Sequence, residues 1–532
     1  VHTRKRQAWK SVLATLVIGG GALAIGTVPP AQALQTILNY PTFASTAGMQ
    51  LNASAAQSGT AIRLTSAGDQ VGSAYATTKV SLTDSFSTHF AARLTPLSPC
   101  LGDGMTFAIQ NAATGASTQP SKALSGGGGL GYQTVTPSIA VELDTFNNGV
   151  NDNNSGNHLA IRNNGNGPST PAADVLPTDP GFTLGDGTTN HVWVDYDAVG
   201  HVLRVFASKS PYKPLAPLIT YPVDLATQVG ATAFAGFTAA TGFCAETADV
   251  LSWHFTPPTT TVVVSSNNPQ PFGQPVTFTA TVCGVTTAPT GTVTFFDNPP
   301  AATPASLGTA ALVPSTALCR VASITSSTLL AGSHTISGVY TGDTVNGDST
   351  GSLAQQIGCT AVNGSAGNVL VPSGQAYCIT GTINGNVTVA NGGSLFMNGA
   401  TVSGALNSSG ARNIAVCDSS ISGSATIANA TGFVLVGDGG EDGCDPNSLK
   451  NLSLSGNLAG LEVSGNTVSA SVTATNNQVA AGSRDETNQP AVIIIEGNSI
   501  TTSLMCTGNN PPPDNEGTAN TAGSKAGQCL SI

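Results

Sequence analysis

Val141-Glu142-Leu143-Asp144-Thr145-Phe146-Asn147-Asn148 alternates apolar and polar residues and then breaks into amides. That alternation reads as a β-strand with one buried face. Glu142 and Asp144 stand two apart, so both carboxylates leave the strand on the same side. Asn148 follows after a short turn, then Asp152, then His158 at the head of a second strand, His158-Leu159-Ala160-Ile161. Carboxylates, an amide oxygen and an imidazole within one short loop can hold a pair of divalent ions. The oxygen-rich part suits a hard cation such as Ca2+. The part with Glu142 and His158 suits a transition ion such as Mn2+.

Four further segments flank this loop in order. They are Gly102-Asp103-Gly104-Met105-Thr106-Phe107, Gly128-Gly129-Leu130-Gly131-Tyr132, His191-Val192-Trp193-Val194-Asp195-Tyr196, and Gly236-Phe237-Thr238-Ala239-Ala240-Thr241-Gly242 leading into Leu251-Ser252-Trp253-His254-Phe255. With the 141–148 stretch and His158, this series resembles the legume-type (L-type) lectins, including their bacterial relatives. The resemblance implies a lectin-type jelly-roll β-sandwich over residues 34–256. It implies that Asp144 and Asp152 share the two ions, that Asn148 and the carbonyl of Phe146 complete the calcium shell, and that Glu142 and His158 hold the transition metal. It further implies a non-proline cis peptide before Asp103, whose carboxylate accepts hydrogen bonds from two sugar hydroxyls. By the same resemblance Asn148 would donate to a sugar hydroxyl, as would a backbone N–H at Gly128 or Gly129. The resemblance also implies that Phe146 offers its ring to the sugar's C–H face and that the 236–242 loop, Thr238 included, supplies the remaining contacts. The chain departs from the family at one point: Asp152-Asn153 replaces the usual Asp-Pro, and His158 lies six residues after Asp152 where five is usual. Asn153 is therefore an alternative ligand. Tyr132, Trp193 and Trp253 read as core aromatics.

The remainder of the chain supports an all-β, exported protein. Of 532 residues, 8% are charged, against roughly 25% in ordinary soluble proteins. Arg4, Lys5, Arg6 and Lys10 precede an apolar run at 12–28, Pro29-Pro30 and Ala31-Gln32-Ala33. This is the pattern of a signal peptide cleaved after residue 33. Val1 fits an alternative start codon, a bacterial trait. Loss of those four positive charges takes the net charge from −11 to −15, which disfavours nucleic acid. No second apolar span follows to hold the mature chain in a membrane. Ten cysteines in an exported chain point to disulfides. Their positions pair within the inferred domains as Cys100–Cys244, Cys283–Cys319, Cys359–Cys378, Cys417–Cys444 and Cys506–Cys529.

A Pro/Thr linker, Thr256-Pro257-Pro258-Thr259-Thr260-Thr261, opens the second region, residues 257–357. There Val276, Phe278, Ala280 and Val282 alternate with polar residues, and the region resembles the bacterial Ig-like repeats, which implies a spacer. In the third region, 358–532, short units of Gly-Asn-x-apolar recur at Gly385, Gly465 and Gly497. Strands this short bury a face only when stacked, which resembles a right-handed parallel β-helix. The expected function is that of a secreted, calcium-dependent carbohydrate-binding protein with glycans or polysaccharides as partners, its oligomeric state left open. The alternative is a polysaccharide-degrading enzyme. A sandwich hydrolase of the Glu-x-Asp-x-x-Glu type needs a second acid where this chain has Asn147. A β-helix lyase or hydrolase needs Asp clustered with Arg, Lys or His, and the third region has no His.

Overall fold

The computed structural model describes residues 37–118, 126–166, 175–297, 305–438, 444–480, 483 and 491–532. The expected signal peptide at 1–33 lies outside them. Among the described residues the fold is almost wholly β, and no helix is long and apolar enough to cross a bilayer.

Two eight-stranded antiparallel sheets form the N-terminal sandwich. The first runs Val175–Thr178, His158–Asn163, Ser138–Asp144, Gly104–Gln110, Thr232–Ala240, Val71–Ala76, Met49–Ala53. The second is centred on Thr189–Asp197, Phe86–Pro96 and Glu246–Thr256. Period-two alternation sends Met105, Phe107 and Ile109 inward to meet Phe90, Phe237 and Trp253 between the sheets. The outer face of the first sheet is not open to water either. Tyr132 folds over it and packs with Tyr75, Ala108 and Ala140. Trp253 and Tyr132 are thus core residues, as expected from sequence. Trp193 is also buried, but on the outer side of the second sheet, where its indole N–H donates to Asp348 of the next domain at 2.6 Å.

The linker expected at 256–261 is shorter in the structure. Only Pro257 and Pro258 separate the Glu246–Thr256 strand from the Thr259–Ser265 strand. Two sheets of four and five strands follow. Val276, Phe278, Ala280 and Val282 are buried in alternation with partly exposed neighbours, so this sandwich carries the pattern seen in its sequence.

From Thr360 onward every ladder between named strands is parallel. Ile379, Met397, Val416, Val436, Val463 and Ile495 stack in register, and all are buried. The Gly-Asn units turn the corners. Gly465 and Gly497 take φ of 69° and 59°, where a side chain is disfavoured. Asn466 and Asn498, which follow these two glycines, turn inward. Asn447, Asn466, Asn498 and Asn520 bond side chain to side chain at 2.8–3.0 Å. Asn457, Asn477, Asn509 and Gln528 form a second such ladder. These stacked parallel ladders are compatible with a β-helix. All five disulfides pair as the cysteine positions suggested.

Candidate functional site

The site lies at one end of the first sheet, where three strands end or begin together. Register sets Gly104 opposite Asp144, Thr106 opposite Glu142, His158 opposite Asp144 and Ala160 opposite Glu142. Glu142, Asp144 and His158 therefore share a face, with one ligand atom from each within 4.8 Å of the others. All three are buried, as is Asp152.

The turn between the two strands is tied by its own side chains. Asp144 Oδ1 accepts the Phe146 N–H at 2.8 Å, and Asp152 Oδ2 accepts the Asn148 N–H at 2.6 Å. Asn147 Nδ2 donates to the Asn154 carbonyl at 2.9 Å. The opposite oxygens, Asp144 Oδ2, Asp152 Oδ1 and Asn148 Oδ1, are buried and make no hydrogen bond. Leaving three buried oxygens unsatisfied is costly, and a hard cation satisfies such a set. The donors expected for calcium therefore fit it. Asn153, the alternative ligand, is exposed in a left-handed turn and stands outside the buried set.

The charges respond to this crowding. Burial, then the nearby Glu142 carboxylate, pushes Asp144 well above the usual carboxylate range. Burial also raises Asp152, against the Asn148 N–H and Arg162. Burial and then the Arg162 charge hold His158 down at about 4, so its imidazole is neutral at pH 7. Arg162 was not anticipated from sequence. It lies two residues past Ala160 on the His158 face, and its Nε donates to Glu142 Oε2 at 2.8 Å. The alternation of 158–162 was visible, but the register that sets Arg162 beside Glu142 was not.

Asp103 sits beside the turn. The Gly102–Asp103 peptide is cis. The Asp103 carbonyl accepts the Thr145 N–H at 3.0 Å, and Oδ2 accepts the Gly242 N–H at 2.6 Å. Burial outweighs that bond and raises its carboxyl to about 6. Three glycines make room around these groups. A Cβ on Gly127 would lie 3.6 Å from both Asp103 carboxylate oxygens, one on Gly128 2.8 Å from Asn148 Oδ1, and one on Gly242 3.3 Å from Asp103 Oδ2. A Cβ on Gly102 would meet the Phe146 ring at 3.1 Å. Asp103, Asn148, Phe146, Gly128 and Gly242 thus lie close together. Cys244, disulfide-bonded to Cys100, fastens the Gly242 loop behind them.

Two expected sugar contacts need correction. Thr238 is fully buried, and its hydroxyl is engaged by the Leu130 carbonyl at 2.7 Å and by Thr106 at 2.8 Å. It carries the glycine loop from beneath and does not face the pocket. Gly129 is buried and spends its N–H on the Gly126 carbonyl at 3.3 Å, which leaves Gly128 as the pocket-side glycine. Glu246 was missed altogether. It is fully buried behind the site and accepts the Thr145 hydroxyl at 3.0 Å. Its place two residues after Cys244 reads as loop, and nothing local signals burial.

Comparison with known proteins gives two domain matches. Residues 35–269 match the legume lectin domain, and residues 262–358 match the bacterial Ig-like domain (group 3). The chain thus contains a legume lectin domain and an Ig-like domain. The L-type lectin-domain containing receptor kinase VIII.2 of Arabidopsis thaliana is 33% identical over 176 residues, covering 32% of this chain and 23% of that protein. The receptor kinase S.7 of Oryza sativa subsp. japonica is 34% identical over 179 residues, covering 32% and 24%. The chain therefore spans about a quarter of the length of these relatives. Among solved structures, basic winged bean lectin with Tn-antigen is 26% identical, with a TM-score of 0.35, over 42% of this chain and 97% of that one. A lectin from Bauhinia forficata in complex with GalNAc is 23% identical, with a TM-score of 0.34, over 42% and 97%.

Proposed function

We propose that this chain is an exported carbohydrate-binding protein that recognises a glycan in a calcium-ordered pocket bordered by Asp103, Asn148, Phe146 and Gly128. The observation that carries the reading is the set of three buried, unbonded oxygens on Asp144, Asn148 and Asp152 directly beside Asp103. The legume lectin domain match supports carbohydrate as the ligand class. Calcium, when bound, supplies the positive charge that these oxygens lack and holds the 146–152 turn in place. The chain's own groups do the recognising. Asp103 presents a carboxylate anchored on one oxygen by Gly242, which leaves the other to accept from sugar hydroxyls. Charge-assisted bonds of this kind are the stronger ones. The Asn148 amide group donates, and the Phe146 ring gives an apolar patch for the sugar's C–H face. Every such hydroxyl exchanges water for protein, so single-site affinity is modest, and tight attachment comes from several sites acting together.

No observation favours a hydrolase. Glu142 and Asp144 are buried, and Glu142 is bonded to Arg162, so they do not face a substrate as an acid pair. The Ig-like sandwich and the parallel ladders then serve as spacer and extension. The test is titration calorimetry of Asp103→Ala and Asn148→Ala against a glycan bound by the wild type in calcium. Loss of binding of about tenfold or more with unchanged thermal unfolding is the expected result. Wild-type affinity in both variants would refute the pocket.

A further inference from the structure

The segment that carries Gly242 is tied down on both sides of a single outward residue. The Gly242 N–H donates to Asp103 Oδ2 at 2.6 Å, and its carbonyl accepts the Asp69 N–H at 2.9 Å. Cys244 is bonded to Cys100, and the Ala245 N–H donates to the Ser98 hydroxyl at 3.0 Å. Thr241, Cys244 and Ala245 are 1%, 8% and 7% exposed. Phe243, in the middle, is 98% exposed. Among the described residues no other Phe, Tyr or Trp is exposed.

Apolar area stabilises a fold only when it leaves water, so this ring contributes nothing to folding. A single exposed apolar residue is ordinary on a protein surface, and what distinguishes Phe243 is its place. Its Cα follows that of Gly242 by one step of about 3.8 Å, and Gly242 holds the Asp103 carboxylate. A Cβ built on Gly102 would lie 3.1 Å from the Phe146 ring and 3.2 Å from Cys244 Cβ. Phe243 is thus strung between a residue that bonds Asp103 and one that stands close to the Phe146 ring. A sugar seated on Asp103 and Phe146 brings the next ring of its chain within reach of Phe243. The C–H face of a sugar packs on an aromatic ring. The backbone of Phe243 is already fixed, so little freedom is lost on contact.

We infer that Phe243 is the platform for a second sugar ring, so that this site selects an oligosaccharide over a single sugar. The inference rests on the proposed carbohydrate function and extends it. The probe is a glycan array on which galactose, glucose, mannose, fucose and the N-acetylated hexosamines each stand alone and at the tip of di- and trisaccharides, titrated with the full chain in calcium. Wild type is expected to hold an oligosaccharide about three- to tenfold more tightly than the sugar at its tip. Phe243→Ser removes that gain and leaves affinity for the single sugar within about twofold of wild type, while Phe243→Tyr keeps the gain. The side chain is 98% exposed, so thermal unfolding of Phe243→Ser stays that of wild type. Val199→Ser removes a 91% exposed side chain from the hairpin between Thr189–Asp197 and Val202–Ser208 and changes neither affinity. A gain that survives Phe243→Ser, or equal wild-type affinity for single sugars and oligosaccharides, would overturn the inference and leave the carbohydrate reading standing. An equal loss for both in Phe243→Ser would place the ring under the first sugar and overturn it as well. No signal on any spot would overturn both.

Discussion

Glu246 is a carboxyl group kept out of water behind the pocket, and burial, its first and largest influence, raises it to about 8 against its bond from Thr145. The folded state therefore holds a proton there that the unfolded chain releases above its ordinary value near 4.5. The contribution of Glu246 to stability falls as pH rises from that ordinary value to about 8 and levels off beyond. Glu246→Gln keeps the shape and removes the titration. Its stability relative to wild type is expected to grow with pH across this window, by on the order of a few kcal/mol in all. Denaturant unfolding of both chains at several pH values measures it, and parallel profiles would show that Glu246 titrates normally. Arg162, the other residue that sequence reasoning passed over, teaches the same point. A residue's neighbours across a sheet depend on register, and a single sequence read strand by strand does not disclose register.

Among the elements, the asparagine ladders bear the clearest mechanical load. Asn498 sits inside one, donating to Asn520 Oδ1 at 2.8 Å and accepting from Asn466 Nδ2 at 3.0 Å. Asn498→Ala strips buried groups on both sides of their partners, and a loss of about 1–3 kcal/mol is expected. Asn386 follows a glycine in the same Gly-Asn pattern but is not buried, and its replacement should cost well under that. Equilibrium denaturation separates the two, and equal losses would refute the ladder as the cause. Strand existence was well marked in the sequence because alternation such as Val276-Thr277-Phe278-Thr279-Ala280 is local. The site was legible for the same reason: Glu142, Asp144, Asn148 and Asp152 lie within eleven residues of one another. Thr238 was misread because alternation does not say which face of a strand another loop covers. Here Leu130 covers it.

Across the whole molecule the sandwich meets its neighbour at an ionisable joint. Asp348 of the Ig-like domain receives the Trp193 indole at 2.6 Å and lies 3.1 Å from His89 Nδ1, and its carbonyl accepts Lys213 at 3.2 Å. His89 Nε2 is 3.2 Å from His191 Nδ1, His254 flanks it on the next strand, and Lys213 pairs with Asp195 at 2.5 Å. Burial, then the His89 charge, holds His191 down at about 4, with Asp348 opposing, and His254 is lowered by the same influences. The unfolded chain takes up these protons first, near the ordinary value of 6.5. The contribution of His191 to stability therefore declines as pH falls below that value, and its full penalty is reached below about 4. Thermal unfolding at pH 7.5 and at pH 5 should show the midpoint difference between His191→Gln and the wild type moving in the variant's favour in acid. An unchanged difference would remove His191 from the cause.

The account turns on one coupling, between a bound cation and a sugar. A glycan array probed with the wild-type chain in calcium, again after chelation, and again after calcium is restored measures it directly. The account predicts binding to a defined set of glycans, its loss with chelator and its return with calcium alone. Binding of equal strength through all three steps would contradict it.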